Sequence, residues 1–282
     1  MATFTASDQL LVIIDPVARQ TDGESVRIVK DVLSAGATTK VCLPDGPEEF
    51  ARALARRGSR RPVVVGDDRA LIRAVSLLHR QRELAGCMLS AVPVGGALSL
   101  AAALGLPTGP VAAARAVLDG VERRLDLLVD DSDGVVLGAL RIPPVGVAEA
   151  ATADSGTGRP WLRTCQSLVR TLVPSRPPRV PSVPGAGPSR LRVEVDGVTL
   201  VDLDQPVEGV SVTPGDSGVA EVEVRPASVG AEASPLLAAG KTVTVAGADF
   251  RYRADAAVAG PVRRRTWTVW EGAWGLTVPV SS

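Results

Sequence analysis

Apolar runs of strand length alternate with stretches of helical periodicity through the first half of the chain. Leu10 to Ile14 is apolar at every position, and Asp15-Pro16 closes the run. Thr21 and Glu24 have the spacing of a capping box, in which each side chain satisfies a free backbone donor at a helix start. A helix is therefore expected from there to Ser34, with Gly36 just past its end. Thr39 to Leu43 reads as a second strand, and Pro47 and Gly58 bracket a second helix. Pro62 to Val65 is a third strand. The helix after it, from about Asp68 to Arg82, places Leu71, Ile72, Val75 and Leu78 on one face. A strand from Cys87 to Val92, a helix from Val111 to Asp119 and a closing strand from Arg124 to Val129 complete this half. Strands that are apolar on both faces and separated by helices predict a parallel sheet covered on two sides.

The second half changes texture. Leu191 to Val195 alternates, Asp196-Gly197 is a hairpin turn, and Val198 to Val201 returns. Short alternating runs follow at 210–213, 219–224, 241–245, 250–254, 266–270 and 275–280. The expected fold class is α/β plus all-β. A doubly wound, Rossmann-like N-terminal domain takes residues 1–125, and a β-sandwich-like domain takes 126–282, with a cleft between them. Between the halves, a short amphipathic helix over 159–173 carries Trp161, Arg163 and Arg170. Its basic polar face suits either an anionic membrane surface or packing on its own β domain. Residues 174–190 hold six prolines and no apolar periodicity, so an exposed, poorly ordered loop is expected there.

Composition narrows the classes. With 282 residues and 45% hydrophobic content the chain can fill a large core, which excludes a disordered protein. Thirty-one basic residues balance thirty-one acidic ones, so no long-range attraction to nucleic acid is expected. Cys42, Cys87 and Cys165 are widely spaced and indicate neither zinc nor a disulfide framework; a reducing cytoplasm fits. No signal peptide is read before Leu10. Leu84 to Ala114 lacks charge, yet Pro93, Gly95-Gly96, Pro107 and Pro110 cut it into pieces too short for a transmembrane segment. His79 is the only histidine, so no Ser-His-Asp or multi-His site can form, and it reads as a surface or partly buried helix residue. Asp126, Asp130, Asp131 and Asp133 lack the ligand alternation of a calcium loop, and turn chemistry accounts for them; no metal site is assigned. Arg263 to Arg265 followed by Trp267, Trp270 and Trp274 interleaves cations and aromatics, which alternation assigns to a strand with one buried face.

One segment carries a resemblance. Val63 to Val75 is a strand ending in a glycine and acidic turn that feeds a helix, and Ala91-Val-Pro-Val-Gly-Gly96 precedes another apolar helix. This order resembles the diacylglycerol kinase catalytic-domain family, which includes bacterial lipid kinases and sphingosine kinases and is related in fold to NAD kinases. Asp15-Pro16 looks like that family's Asn-Pro turn, Leu118 to Asp126 like its passage into the second domain, and Ala254 to Pro261 like its Asp-Gly-Glu stretch. The resemblance covers nearly the whole chain. It implies transfer of a phosphoryl group from ATP, with magnesium, to a lipid hydroxyl, in a cytoplasmic protein that rests peripherally at the inner face of a membrane, with a homodimer left open. The nucleotide-binding positions it implies are Asp15, Gly66, Asp68, Arg69, Gly95, Gly96 and Ser99.

The motifs themselves depart from the family pattern. Where the family has Gly-Gly-Asp-Gly-Thr, this chain has Gly66, Asp67, Asp68, Arg69 and Ala70. Asp67 brings a second carboxylate where phosphate would sit, and Arg69 is expected to pair with Asp67 or Asp68. The second signature, Pro-x-Gly-Thr-x-Asn-Asp, reads Pro93 to Ser99 and keeps only Ser99 of its polar side chains; Leu98 and Leu100 are expected in a core. The position of the family's catalytic Glu is Ala257, which cannot accept a proton, and Asp255 is the nearest substitute or an ordinary turn residue. The residues therefore imply a pseudokinase with lost or strongly reduced activity that binds a lipid, a nucleotide or a partner. Two alternatives stand beside it: an active lipid kinase with a rearranged site of Asp68, Arg69 and Asp255, and a peripheral membrane or scaffold protein working through the Trp161 helix.

Overall fold

In the computed structural model, residues 9–144, 188–227 and 234–280 are described below. The Trp161, Arg163 and Arg170 helix and most of the 174–190 loop lie outside these residues.

The first half alternates strand and helix. β1 (Gln9–Ile14), β2 (Thr38–Cys42), β3 (Arg61–Gly66) and β4 (Met88–Pro93) pair in parallel in the order β2-β1-β3-β4. Residues of alternate parity on β1 and β3 go to opposite cores, as a sheet covered on both faces requires. Leu10, Val12, Ile14, Val63 and Val65 pack with Val29 and Leu33 of α2 (Gly23–Gly36) and Val117 of α6 (Pro110–Asp119). On the other face Leu11, Ile13 and Val64 pack with Phe50 and Leu54 of α3 (Pro47–Ala55) and Leu71, Val75 and Leu78 of α4 (Asp68–Arg80). The uncharged stretch after Leu84 is divided among β4, the short α5 (Ser99–Ala103) and α6. No helix among the described residues is long and apolar enough to cross a membrane.

Three expectations are corrected here. Thr21 does not open α2: it ends a short helix, α1 (Pro16–Thr21), and its hydroxyl donates to the Val17 carbonyl. The cap of α2 is Asp22, which accepts from the Ser25 amide, and the helix runs on through Gly36. Asp15-Pro16 does end β1, as expected, and it does so by starting α1, with Asp15 as cap and proline at the first helical position. Finally, β5 (Val121–Asp130) does not close the parallel sheet. The strand beside β4 is the end of the last strand, β14 (Ala257–Val278), whose Gly275 and Leu276 pair in parallel with Met88 and Leu89. β5 runs antiparallel to β14 on its other side.

The remaining strands are antiparallel around a separate apolar core. They are β6 (Val135–Val136), β7 (Leu140–Ile142), β8 (Ser189–Val195), β9 (Val198–Val201), β10 (Pro206–Pro214), β11 (Ala220–Pro226), β12 (Leu236–Gly240) and β13 (Thr242–Ala254). The Asp196-Gly197 hairpin forms as expected, with both residues at positive φ, 50° and 80°. The runs expected at 241–245 and 250–254 are one bulged strand, β13, and those at 266–270 and 275–280 belong to β14. Trp267 and Trp274 are fully buried, whereas Trp270 stays 41% exposed. Core packing therefore accounts for two of the three tryptophans.

Candidate functional site

The carboxyl ends of β1, β3 and β4 meet at one edge of the parallel sheet, where open α/β sheets place their ligands. The Asp15 amide donates to the Val65 carbonyl at 2.9 Å, the Val94 amide to the Gly66 carbonyl at 3.0 Å, and the Asp68 amide to the Ala97 carbonyl at 2.9 Å. These bonds bring together Asp15, Gly66, Asp67, Asp68, Gly95 and Ser99; all but Asp67 are nucleotide positions that the family resemblance implies. Gly66 is glycine because the chain is crowded there: a Cβ would lie 2.7 Å from that of Ala70 and 3.0 Å from that of Asp15. Gly95 has φ +126°, a conformation glycine alone adopts readily, and faces Asp67, whose Cβ lies 3.4 Å from where its own would be. Gly96 is exposed to open space.

Each carboxylate at this edge holds the chain. Asp15 accepts from the Val17 amide at 2.9 Å and from Arg73 Nη1 at 2.6 Å, so it starts α1 and ties α4 to β1. Arg73 also lies over the Phe50 ring, 5.5 Å from its centre. Asp67 caps α4, accepting from the Arg69 and Ala70 amides at 3.1 and 3.2 Å. Asp68, only 5% exposed, accepts from the Leu100 and Ala101 amides at 2.9 and 3.0 Å and from the Ser99 hydroxyl at 3.3 Å. It thereby fixes the start of α5 and buries Leu100; Leu98 is half-buried.

Arg69 is exposed and forms no ion pair among the described residues, contrary to the expected pairing with Asp67 or Asp68. The reason is geometric. Both acidic side chains turn inward onto backbone amides, while residue 69 sits on the outer face of the first turn of α4.

Asp255 occupies the turn between β13 and β14 at φ 48°. Its Oδ1 accepts from the Gly138 and Ala139 amides at 2.8 and 2.9 Å, and its Oδ2 from the Leu137 amide at 2.8 Å. Burial pushes its carboxyl above the usual aspartate range; the three amides pull it back, and the charge of Asp68 pushes it up again. Leu100 stands at the same seam, its Cδ1 2.7 Å from where a Gly138 Cβ would be. Ala257, paired with Ala254 across the hairpin, is exposed and offers only a methyl group.

The acidic cluster of the sequence is dispersed among four different tasks. Asp126 holds the Gly218 and Gly272 amides, Asp130 the Ser132 and Gly134 amides, Asp131 pairs with Arg265, and Asp133 meets His79. His79 is buried at 4%, deeper than its sequence position suggests, because Asp133 satisfies its Nε2 at 2.9 Å. Arg73 escaped the sequence reading, since nothing local to α4 marks it as the partner of a residue at the end of β1.

No family model and no curated protein matches the chain. Solved structures do, over nearly its full length. One titled "A putative diacylglycerol kinase from Bacillus anthracis str. Sterne" aligns with TM-score 0.70 and 14% identity over 98% of each chain. A second with a similar title gives TM-score 0.72 and 13% identity over 99% of this chain and 98% of the other. A third, titled as a diacylglycerol kinase of the same organism, gives 0.69 and 12% over 98% of each. The chain thus has a diacylglycerol-kinase-like fold.

Proposed function

We propose that this protein is a diacylglycerol-kinase-like pseudokinase, in which phosphoryl transfer from ATP to a lipid hydroxyl is lost or strongly reduced. In this reading the scaffold persists as a binding body for a lipid, a nucleotide or a protein partner. It consists of a doubly wound, Rossmann-like domain joined to a β-sandwich-like one, resting peripherally at a membrane face. The parallel register of β1 to β4 and the separate core of the antiparallel strands support that architecture.

One observation carries the proposal. The two carboxylates that would serve a rearranged site, Asp68 and Asp255, are both committed to backbone amides on either side of one seam. A carboxylate that releases those amides to hold magnesium or take a proton leaves buried donors unpaired, at about 1–3 kcal/mol each. Asp67 adds a negative charge where phosphate oxygens would come, and Ala257 supplies no proton acceptor. ATP and magnesium therefore fit this edge poorly.

A second reading, an active kinase with a rearranged site, draws support from the electrostatic contact of Asp68 and Asp255. A carboxyl pushed up by burial is a better general base than an ordinary aspartate. Transfer of labelled phosphate from ATP to diacylglycerol in mixed micelles decides between the two. The pseudokinase reading expects no product above the protein-free blank. Product that disappears in both Asp68→Asn and Asp255→Asn overturns it.

A further inference from the structure

At the opposite end of α4 from the edge of Asp15, Gly66 and Asp68 lies a cleft of about 440 Å³ between the C-terminal end of that helix and the outer stretch of β14. His79 stands twelve residues beyond Asp67, roughly 18 Å along the helix, so the cleft is separate from the edge described above. Its volume lies in the range of pockets that enclose small ligands.

The walls are built and held. β14 slips register against β5 between Trp270 and Trp274, with Gly272 at φ 52°. Trp270 stands opposite Leu127 and Trp274 opposite Leu125, so the two tryptophans share one face of the strand pair; Trp274 is fully buried there, while Trp270, beyond the bulge, lines the cleft. Asp126, only 8% exposed, fixes the bulge by accepting from the Gly272 amide at 2.8 Å and the Gly218 amide at 2.7 Å. Arg124 spans the two walls, donating to the Gly272 carbonyl and to the Ala85 carbonyl, both at 3.1 Å. The Trp270 ring is oriented by His79, in a T-shaped contact with centres 5.2 Å apart, and His79 is itself held by Asp133. Such a surface loses little freedom when a ligand settles on it.

The chemistry of the lining selects the ligand. Trp270, Leu84 and Ala85 offer an apolar bed. Arg82 and Lys241 stand at its rim, and neither has an ion pair among the described residues. The one acidic liner, Glu271, points its carboxylate at Gly218, 2.9 Å from where that residue's Cβ would be.

We propose that this cleft binds a small aromatic anion, its ring stacked on Trp270 and its carboxylate held by Arg82 and Lys241. An aromatic body matches the flat indole face better than a flexible acyl chain does, and two unpaired cations match one carboxylate.

Calorimetric titration of the full chain with 2-naphthoate tests this. One saturable site is expected. Trp270→Ala weakens it about tenfold or more, the double variant Arg82→Gln, Lys241→Gln does the same, and the uncharged 2-naphthylmethanol binds wild type correspondingly less well. Thermal melting shows whether each variant is folded; should Trp270→Ala not fold, the double variant, altered only at the rim, decides. Absence of saturable heat up to about 1 mM, or equal affinity in wild type and the double variant, overturns the proposal.

Discussion

Asp255, already pushed up in pKa by its burial, lies close enough to Asp68 for the charge of one carboxylate to raise the proton affinity of the other. They are linked where Leu100, whose amide Asp68 holds, stands against Gly138, whose amide Asp255 holds. The seam thus holds two carboxylates, each bonded to backbone amides.

The Asp255 carboxyl should therefore titrate above 3.8, its ordinary value, when followed by carbon-detected NMR. The sign for stability follows. Between 3.8 and its raised native pKa the folded state binds more protons than the unfolded one, so stability falls as pH rises through that window. Asp68→Asn removes a nearby negative charge and should lower the Asp255 midpoint; an unchanged midpoint would show that the two do not interact.

Asp68→Ala should cost about 1–3 kcal/mol in urea unfolding, because the amides of Leu100 and Ala101 lose their acceptor in a buried setting. Asp68→Asn keeps one acceptor oxygen and should cost less. Equal and negligible losses in both would mean that Asp68 does not hold α5.

The glycines of the edge should differ. Gly66→Ala forces a Cβ against those of Ala70 and Asp15 and should destabilise by about 1–3 kcal/mol. Gly96→Ala meets open space and should stay within about 0.5 kcal/mol of wild type. Thermal unfolding of the two variants side by side checks the contrast.

Legibility in the sequence followed the range of the forces involved. The alternation from Leu10 to Asp119 was readable because each strand and helix there announces itself through neighbouring residues. The placement of Gly275 and Leu276 beside β4 was not, since strand neighbours far apart in the chain leave no local periodicity. Asp22 rather than Thr21 capping α2 turned on a single rotation of the chain after α1. At the candidate site, Gly66, Asp68 and Gly95 could be picked out by their order along the chain. What their side chains hold could not, because the amides of Leu100 and Ala101 reach Asp68 only once α4 and α5 are packed. Trp270 reads as core together with Trp267 and Trp274, and its partial exposure at the cleft beside the end of α4 leaves no mark in the local sequence.

Arg141 and Arg253 lie directly opposite each other on β7 and β13, and neither has an ion pair among the described residues. Like charges across a strand pair oppose folding. Arg141→Glu should therefore raise stability by about 0.2–1 kcal/mol, read as a higher midpoint in urea; a lower midpoint would mean that the arginines are held apart.

Whether Asp68 and Asp255 hold this chain, as the proposed pseudokinase requires, rather than a metal-bound nucleotide is read directly by paramagnetic Mn²⁺. Added together with ATP, Mn²⁺ should leave the amide signals of Leu100, Ala101, Leu137, Gly138 and Ala139 unbroadened. Selective broadening of those five signals at stoichiometric Mn²⁺, abolished by Asp68→Asn, would contradict it.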